Sequence, residues 1–276
     1  MLSKYALVHG LASMLLLGSA VALLAAPGAD LWSHWQKHDP SSAVRVDHAP
    51  WREFLIKYLV TGNPDGIHRV RYGAVTGEDR MVLDGYVKSL EEVGVSGLNR
   101  REQMAYWINF YNALTVKVIL DHYPVKSIRS VNISPGFFNF GPWDAKLARV
   151  KGEAISLNDM EHRILRPVWN DNRVHYAVNC ASLGCPNLQP EPFTSENLDH
   201  ALDKAAVEFV NHPRGARLDG RRLVLSSIYD WFRVDFGGSE EGVLEHIRKY
   251  AAPSLSQAIL SHRGRISYDY DWSLNE

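Results

Sequence analysis

Two cysteines, Cys180 and Cys185, stand five residues apart in RVHYAVNCASLGCPNL, and they are the only cysteines of the 276-residue chain. That spacing admits two chemistries. In an oxidising compartment the pair closes most simply as a Cys180–Cys185 disulfide. As a free thiol, Cys180 would be a nucleophile, and a thiolate needs a histidine or another positive group beside it. The nearest candidates are His175, upstream in the same segment, and His162, which follows Glu161 in SLNDMEHRILRP. Leu157, Met160 and Ile164 form a helical stripe there, and a four-residue step from Leu157 puts Glu161 inside it, with His162 about 100° round the helix. A carboxylate in an apolar stripe needs a charged or hydrogen-bonding partner. A structural pair with Arg163, Arg166 or Arg173 and a role at a site both answer that need.

Elements must hold these groups in place. Residues 98–123, LNRREQMAYWINFYNALTVKVILDHY, set Met104, Trp107, Ile108, Tyr111, Leu114, Val118 and Ile119 on one helical stripe, and Pro124 stops it. This is the expected central helix, with Asn109 and Asn112 on its flank, suited to satisfying buried backbone groups. Shorter helices are expected over 51–60, 80–92, 196–210 and 240–250. Ser156-Leu157-Asn158-Asp159 is an N-terminal cap for the helix carrying Glu161, with Pro167 as its end. Asp219-Gly220 and Lys151-Gly152 mark hairpins, and strands are expected over 128–133, 174–179 and 266–270. Helices followed by hairpins predict an α+β fold, a central helix packed on an antiparallel sheet. No GxGxxG, P-loop, GxSxG or HExxH motif occurs, which removes the usual support for nucleotide, hydrolase-elbow and zincin sites. No cofactor and no metal is expected, since Glu161, His162, His175 and Cys180 match no familiar ligand spacing.

Lys4 precedes an acid-free apolar run ending at Ala26. Its core of about 16 residues falls short of the ~20 of a membrane span, so residues 1–26 read as a signal peptide or signal anchor. The remainder is expected to be exported: periplasmic, secreted, or anchored facing the periplasm. The 30 Lys and Arg nearly balance the 31 Asp and Glu, so there is no electrostatic case for nucleic acid, nor for the membrane beyond the N-terminal segment. Residues 27–50, rich in Ser, Asp, His and Pro, are linker-like, and 51–276 is expected to be one globular domain.

The blocks YWINFYNALT (106–115), GPW (141–143), LNDMEHRILRP (157–167), HYAVNCASLGCP (175–186), LSSIYDWFRVDFG (225–237) and YDYDWSLN (268–275) together resemble the domain of unknown function family 547. The resemblance implies a domain remotely similar to papain- and transglutaminase-like cysteine-peptidase folds, with Glu161, His175 and Cys180 as its catalytic group; His162, one residue after Glu161, is the fallback base. The implied activity is that of an exported thiol-dependent hydrolase or acyl transferase on an amide or thioester bond, acting on a peptide-like or thiol-containing substrate. Phe137, Phe138, Phe140 and Trp143, in a loop with Gly136, Gly141 and Pro142, would wall a groove, and Phe140, Trp143 and Asn109 are its candidate substrate contacts. One geometric obstacle stands out: five residues of straight strand put His175 about 16 Å from Cys180. The alternative is a non-catalytic envelope binding or assembly module stapled by the Cys180–Cys185 disulfide.

Overall fold

A computed structural model describes residues 27–136 and 140–276. The expected signal segment, and Phe137 and Phe138 of the aromatic loop, lie outside the described residues.

The larger hydrophobic core packs around the longest helix. In chain order the helices are α1 (Ala49–Tyr58), α2 (Gly77–Glu91), α3 (Arg100–His122), α4 (Arg166–Trp169), α5 (Val174–Ala177), α6 (Leu198–Asn211), α7 (Ile228–Trp231), α8 (Glu240–Tyr250) and α9 (Pro253–Ser261). The strands are β1 (Leu59–Val60), β2 (Arg69–Val70), β3 (Ala148–Val150), β4 (Glu153–Ile155), β5 (Ala216–Asp219), β6 (Arg222–Ser226) and β7 (Ile266–Asp269). The class is α+β. Helix α3 holds neither Gly nor Pro, and Asn99 caps it by accepting the Glu102 N–H at 3.0 Å. Every residue from 102 to 116 is buried. The expected single stripe is therefore a helix enclosed on all sides, which its polar face requires to be fully hydrogen-bonded.

Clamping loops meet most of that requirement, although Trp107 Nε1 and Thr115 Oγ1 stay without a hydrogen bond among the described residues. Asn109 donates to the Phe193 carbonyl at 2.7 Å and accepts the Phe193 N–H at 3.0 Å. Asn112 donates to the Ala177 carbonyl at 2.9 Å and accepts the Asn179 N–H at 2.8 Å. Gln103 reaches the carbonyls of Lys37 and Val95. Helix α3 is thus both the core and the template for the backbone around it. A second hydrophobic cluster gathers α6, α8, β5 and β6 with Tyr176 at its centre. There β5 and β6 pair antiparallel and β7 joins β6 in parallel, so the three-stranded sheet is mixed.

Three local expectations are corrected. Residues 174–179 alternate like a strand, yet 174–177 form one helical turn, because Asp171 accepts the Arg173 N–H and carbonyls 171–173 take the next amides three residues on. Residues 128–133 make a 3-10 turn, Ile128–Ser130, capped by Ser127, for want of a partner strand. Pro167 does not end its helix. Residues Asp159–Leu165 run as a π-helix, opened by the expected Ser156–Asp159 cap, and the Arg166 N–H bonds five residues back to Glu161. The helix goes on to Trp169 and stops at Asn170, which is left-handed. The carbonyls of His162 and Arg163, which an amide at 167 would have used, instead accept the N–H groups of Asp30 and Trp32 at 3.0 and 2.9 Å.

The linker-like 27–50 segment is therefore laid along the π-helix. Trp35 is buried edge-on against Trp107, 5.1 Å between rings. Among the described residues no helix is long and apolar enough to cross a membrane.

The Asn112 clamp has a measurable weight. Asn112→Leu keeps the volume but orphans a buried carbonyl and a buried N–H, each costing ~1–3 kcal/mol. Urea denaturation should show a loss of about 2–4 kcal/mol with an unchanged slope, and a midpoint equal to that of the parent chain would refute the clamp.

Candidate functional site

Where the π-helix meets α5, four ionisable side chains are buried together and a fifth, Asp235, is half-buried against them. The widened π turn places Glu161 and His162 on its inner side. His175, turned by α5, faces Glu161 Oε1 with Nδ1 at 3.6 Å and donates from Nε2 to Asp235 Oδ2 at 2.7 Å. Arg166, almost wholly buried, donates from Nε to the same Asp235 oxygen at 2.6 Å and from Nη1 to His162 Nδ1 at 3.1 Å. Phe232 lids the group: its ring stacks on His175 at 4.2 Å and lies under the Arg166 guanidinium at 4.9 Å.

Burial alone would push the Glu161 carboxyl up. The neighbouring His162 and His175 rings and Arg166 outweigh it and hold Glu161 down at about 2. Asp235 is likewise raised by burial but held at about 2 by its bonds to His175 and Arg166. His162 is pushed below its ordinary value by burial, with Arg166 and His175 adding to the shift. Asp235 was not anticipated from the sequence. Its signal is an acid inside WFRVDFG, in the 3-10 turn Arg233–Phe236 that Gly237 ends in the left-handed region. The other arginines considered for Glu161 are engaged elsewhere: Arg163 with Asp159 and Asp30, Arg173 with Asp171, Asp199 and Asp203.

The thiols form a second centre. Asn179 folds the loop by accepting the Ala181 N–H at 2.8 Å and donating to the Pro186 carbonyl at 2.8 Å, and Ala181 is left-handed at φ 57°. The chain's last segment closes on it: Leu183 and Gly184 donate to the carbonyls of Ser273 and Asp271, both at 2.8 Å. A Cβ on Gly184 would lie 2.9 Å from the Asp271 backbone, so that closure requires glycine. Cys180 and Cys185 are both free thiols. Buried Cys185 Sγ accepts the Cys180 N–H at 3.0 Å and the Tyr270 O–H at 3.1 Å. Half-buried Cys180 brings its Sγ to 3.1 Å from Tyr270 Oη and 3.3 Å from Ser182 Oγ.

Among the described residues no histidine nitrogen is in hydrogen-bond contact with Cys180. The structure unites Glu161 with His175 and leaves Cys180 with a tyrosine, because the helical turn aims the imidazole at Asp235. The fully buried Tyr111 hydroxyl neighbours both centres, and burial with the charges of Glu161 and the two thiols drives its pKa far up.

Burial opposes a charge on Cys185, but the bonds from Cys180 and Tyr270 and the Cys180 N–H prevail and bring it down to about 7. Cys180 moves the other way, raised by its contact with Cys185 and by burial. Behind them Arg214, itself lowered to about 10 by burial, donates to the Leu183 carbonyl and adds positive potential at Cys185. The hydrogen bonds that favour a thiolate thus converge on the inner sulfur, from the Cys180 N–H and the Tyr270 O–H.

Aromatic rings extend outward from Tyr270, the ring that touches Cys180. Trp231 packs on Tyr270 and Trp272 at 4.8 and 5.5 Å, and Trp143 meets Trp272 edge-on at 5.7 Å. Phe140 is exposed beside Arg129. Of the expected contacts, Trp143 stands among these rings. Asn109 does not: it is buried and both ends of its amide hold the Phe193 peptide. Among the described residues no group of three His, Cys, Asp or Glu is arranged to bind a metal ion.

Two outcomes follow. Glu161 and Asp235 are depressed from ordinary values of 4.5 and 3.8, so their contribution is complete above pH ~4.5 and is lost as pH falls through about 2, on the order of a few kcal/mol. Glu161→Gln should flatten the acid limb of the stability profile between those values; an unaltered limb would show Glu161 unpaired. Tyr270→Phe removes a hydrogen-bond donor from Cys185 Sγ and should raise the midpoint of thiolate absorbance above the parent's. An unmoved midpoint would mean that Tyr270 does not hold the sulfur.

Glu161, His162, His175, Cys180 and Cys185 fall within residues 95–210, which match a family model described as "Protein of unknown function, DUF547". Asp235 and Tyr270, which complete the two centres, come from beyond it. No curated protein and no solved structure matches the chain. Residues 95–210 of this chain are a DUF547 domain.

Proposed function

We propose that the Cys180–Cys185 pair of this chain performs thiol–disulfide exchange, with Cys180 as the sulfur that meets substrate and Cys185 as the sulfur that leaves and returns. The observation that carries it is the sharing of one tyrosine hydroxyl by two free sulfurs, one on a half-buried cysteine and one on a buried cysteine. In the oxidised pair, a substrate thiolate attacks Cys180 Sγ, the Cys180–Cys185 bond breaks, and Cys185 departs as a thiolate received by the Cys180 N–H and the Tyr270 O–H. A low-pKa sulfur is the better leaving group. A second substrate thiol, deprotonated, attacks the substrate sulfur of the mixed disulfide and expels Cys180, which takes up a proton. The substrate dithiol is oxidised to a disulfide, the protein pair is reduced by two electrons, and a disulfide co-reactant reverses the sequence. Stabilising the reduced form in this way makes the pair an oxidant.

Export through the N-terminal segment, part of the same proposal, would set the pair in a compartment where disulfides persist. The hydrolase expected from the sequence uses the same Cys180, but it needs a base there, and both His175 nitrogens face carboxylates. A stapled binding module would hold the same disulfide without turning it over.

The test is trapping. With Cys185→Ser, a small disulfide should leave a stable mixed disulfide on Cys180, detected by intact mass, whereas the parent chain resolves it to the internal disulfide. Cys180→Ser should yield little adduct on the buried Cys185. Equal adducts in both variants, or none in either, would defeat the assignment.

A further inference from the structure

Arg129 is exposed, and its guanidinium face lies over two rings while, among the described residues, its edges hold no partner. Its Cζ lies 5.3 Å from the Trp272 ring and 5.9 Å from Phe140. Arg217, Arg222 and Arg233 each grip a carboxylate, but no carboxylate among the described residues pairs with Arg129. The acids beside the rings are engaged elsewhere: Asp144 accepts from Asn158 Nδ2 at 2.7 Å, and Asp271 from the Ser273 N–H at 2.8 Å. A stacked guanidinium keeps its in-plane N–H fork free, the geometry that takes a carboxylate by two parallel bonds. The rings run without interruption from there to the thiol. Trp272 is 4.6 Å from Tyr270, whose hydroxyl touches Cys180 Sγ at 3.1 Å.

We infer that Arg129 is the specificity-determining residue of the thiol centre and that the substrate is a carboxylate-bearing thiol, its carboxylate on Arg129, its apolar part on the Trp272–Tyr270 faces and its sulfur at Cys180. This rests on the exchange reading. The net charge of −1 gives the whole chain no general attraction for anions, so a preference for acidic thiols must arise locally.

Full-length protein, oxidised to the Cys180–Cys185 disulfide, is mixed at low ionic strength with mercaptosuccinate, 2-mercaptoethanol or cysteamine. Its reduction is followed by acid quench, alkylation and mass, with rates expressed per thiolate. Mercaptosuccinate should be fastest and cysteamine slowest. Arg129→Gln should slow mercaptosuccinate about fivefold, the scale of one exposed ion pair, and leave 2-mercaptoethanol unchanged. Arg129→Lys, which keeps the charge without the fork, should fall between. Cysteine peptides flanked by Glu or by Lys form a second arm: a bias larger there than among the small thiols assigns the substrate to a polypeptide, and a smaller one assigns it to a free acidic thiol. Equal rates for all three small thiols, or a bias that survives Arg129→Gln, overturns the inference while the exchange reading stands. No reduction by any thiol overturns both.

Discussion

Two carboxylates, two imidazoles and a guanidinium, all but Asp235 buried, are gathered where the π-helix meets the Arg233–Phe236 turn, and the rest of the centre is arranged around keeping them paired. Removing such charges from water is costly unless each finds a partner of good geometry. Asp235 serves Arg166 and His175 at once, at 2.6 and 2.7 Å, and so fastens the C-terminal half of the chain to the helix that carries Glu161. The π turn is what makes the group fit: it brings Glu161 and His162 inward together, and the segment around Asp30 and Trp32 satisfies the carbonyls that Pro167 leaves open.

This arrangement has a chemical consequence. An imidazole held between two carboxylates is oriented and occupied, and it is not available to a sulfur elsewhere. The thiols are provided for by a different set of groups, chiefly a backbone N–H and a tyrosine hydroxyl. The two centres share Tyr111 as a buried neighbour, and they share α3, whose Asn112 fixes the backbone from Ala177 to Asn179 between His175 and Cys180. Any shift of that clamp would be felt on both sides.

The row of rings leading outward from Tyr270 is assembled from three distant parts of the chain: the loop at 140–143, α7, and the final segment after β7. Only the last of these also supplies a bond to sulfur. The closure of Asp271 and Ser273 on Gly184 and Leu183 therefore does two things, setting the Tyr270 hydroxyl against both thiols and presenting Trp272 to solvent beside Arg129.

Much of this was legible in the sequence. The uninterrupted apolar pattern of 98–123 fixed α3 and its end before Pro124, and the Asp-Gly and Lys-Gly pairs fixed two hairpins, because period and turn chemistry are local properties of a chain. Glu161 was identifiable as a buried acid needing a partner, and Asn109 and Asn112 as amides suited to backbone groups, since an apolar stripe constrains whatever polar residue interrupts it. The identity of the partners was not legible. Asp235 lies 60 residues from His175 and Tyr270 lies 90 from Cys180, and no periodicity reports a contact across such a span. The helical turn at 174–177 was hidden too: its residues alternate as a strand would, and only Asp171 and the α3 clamp bend them. That bend decided which way His175 points. Hence the residue types available to the site were set by the sequence alone, while the pairing of histidine with carboxylates and of thiol with tyrosine was decided by tertiary structure, because burial makes each charged or polar group take the best partner that the fold brings within reach.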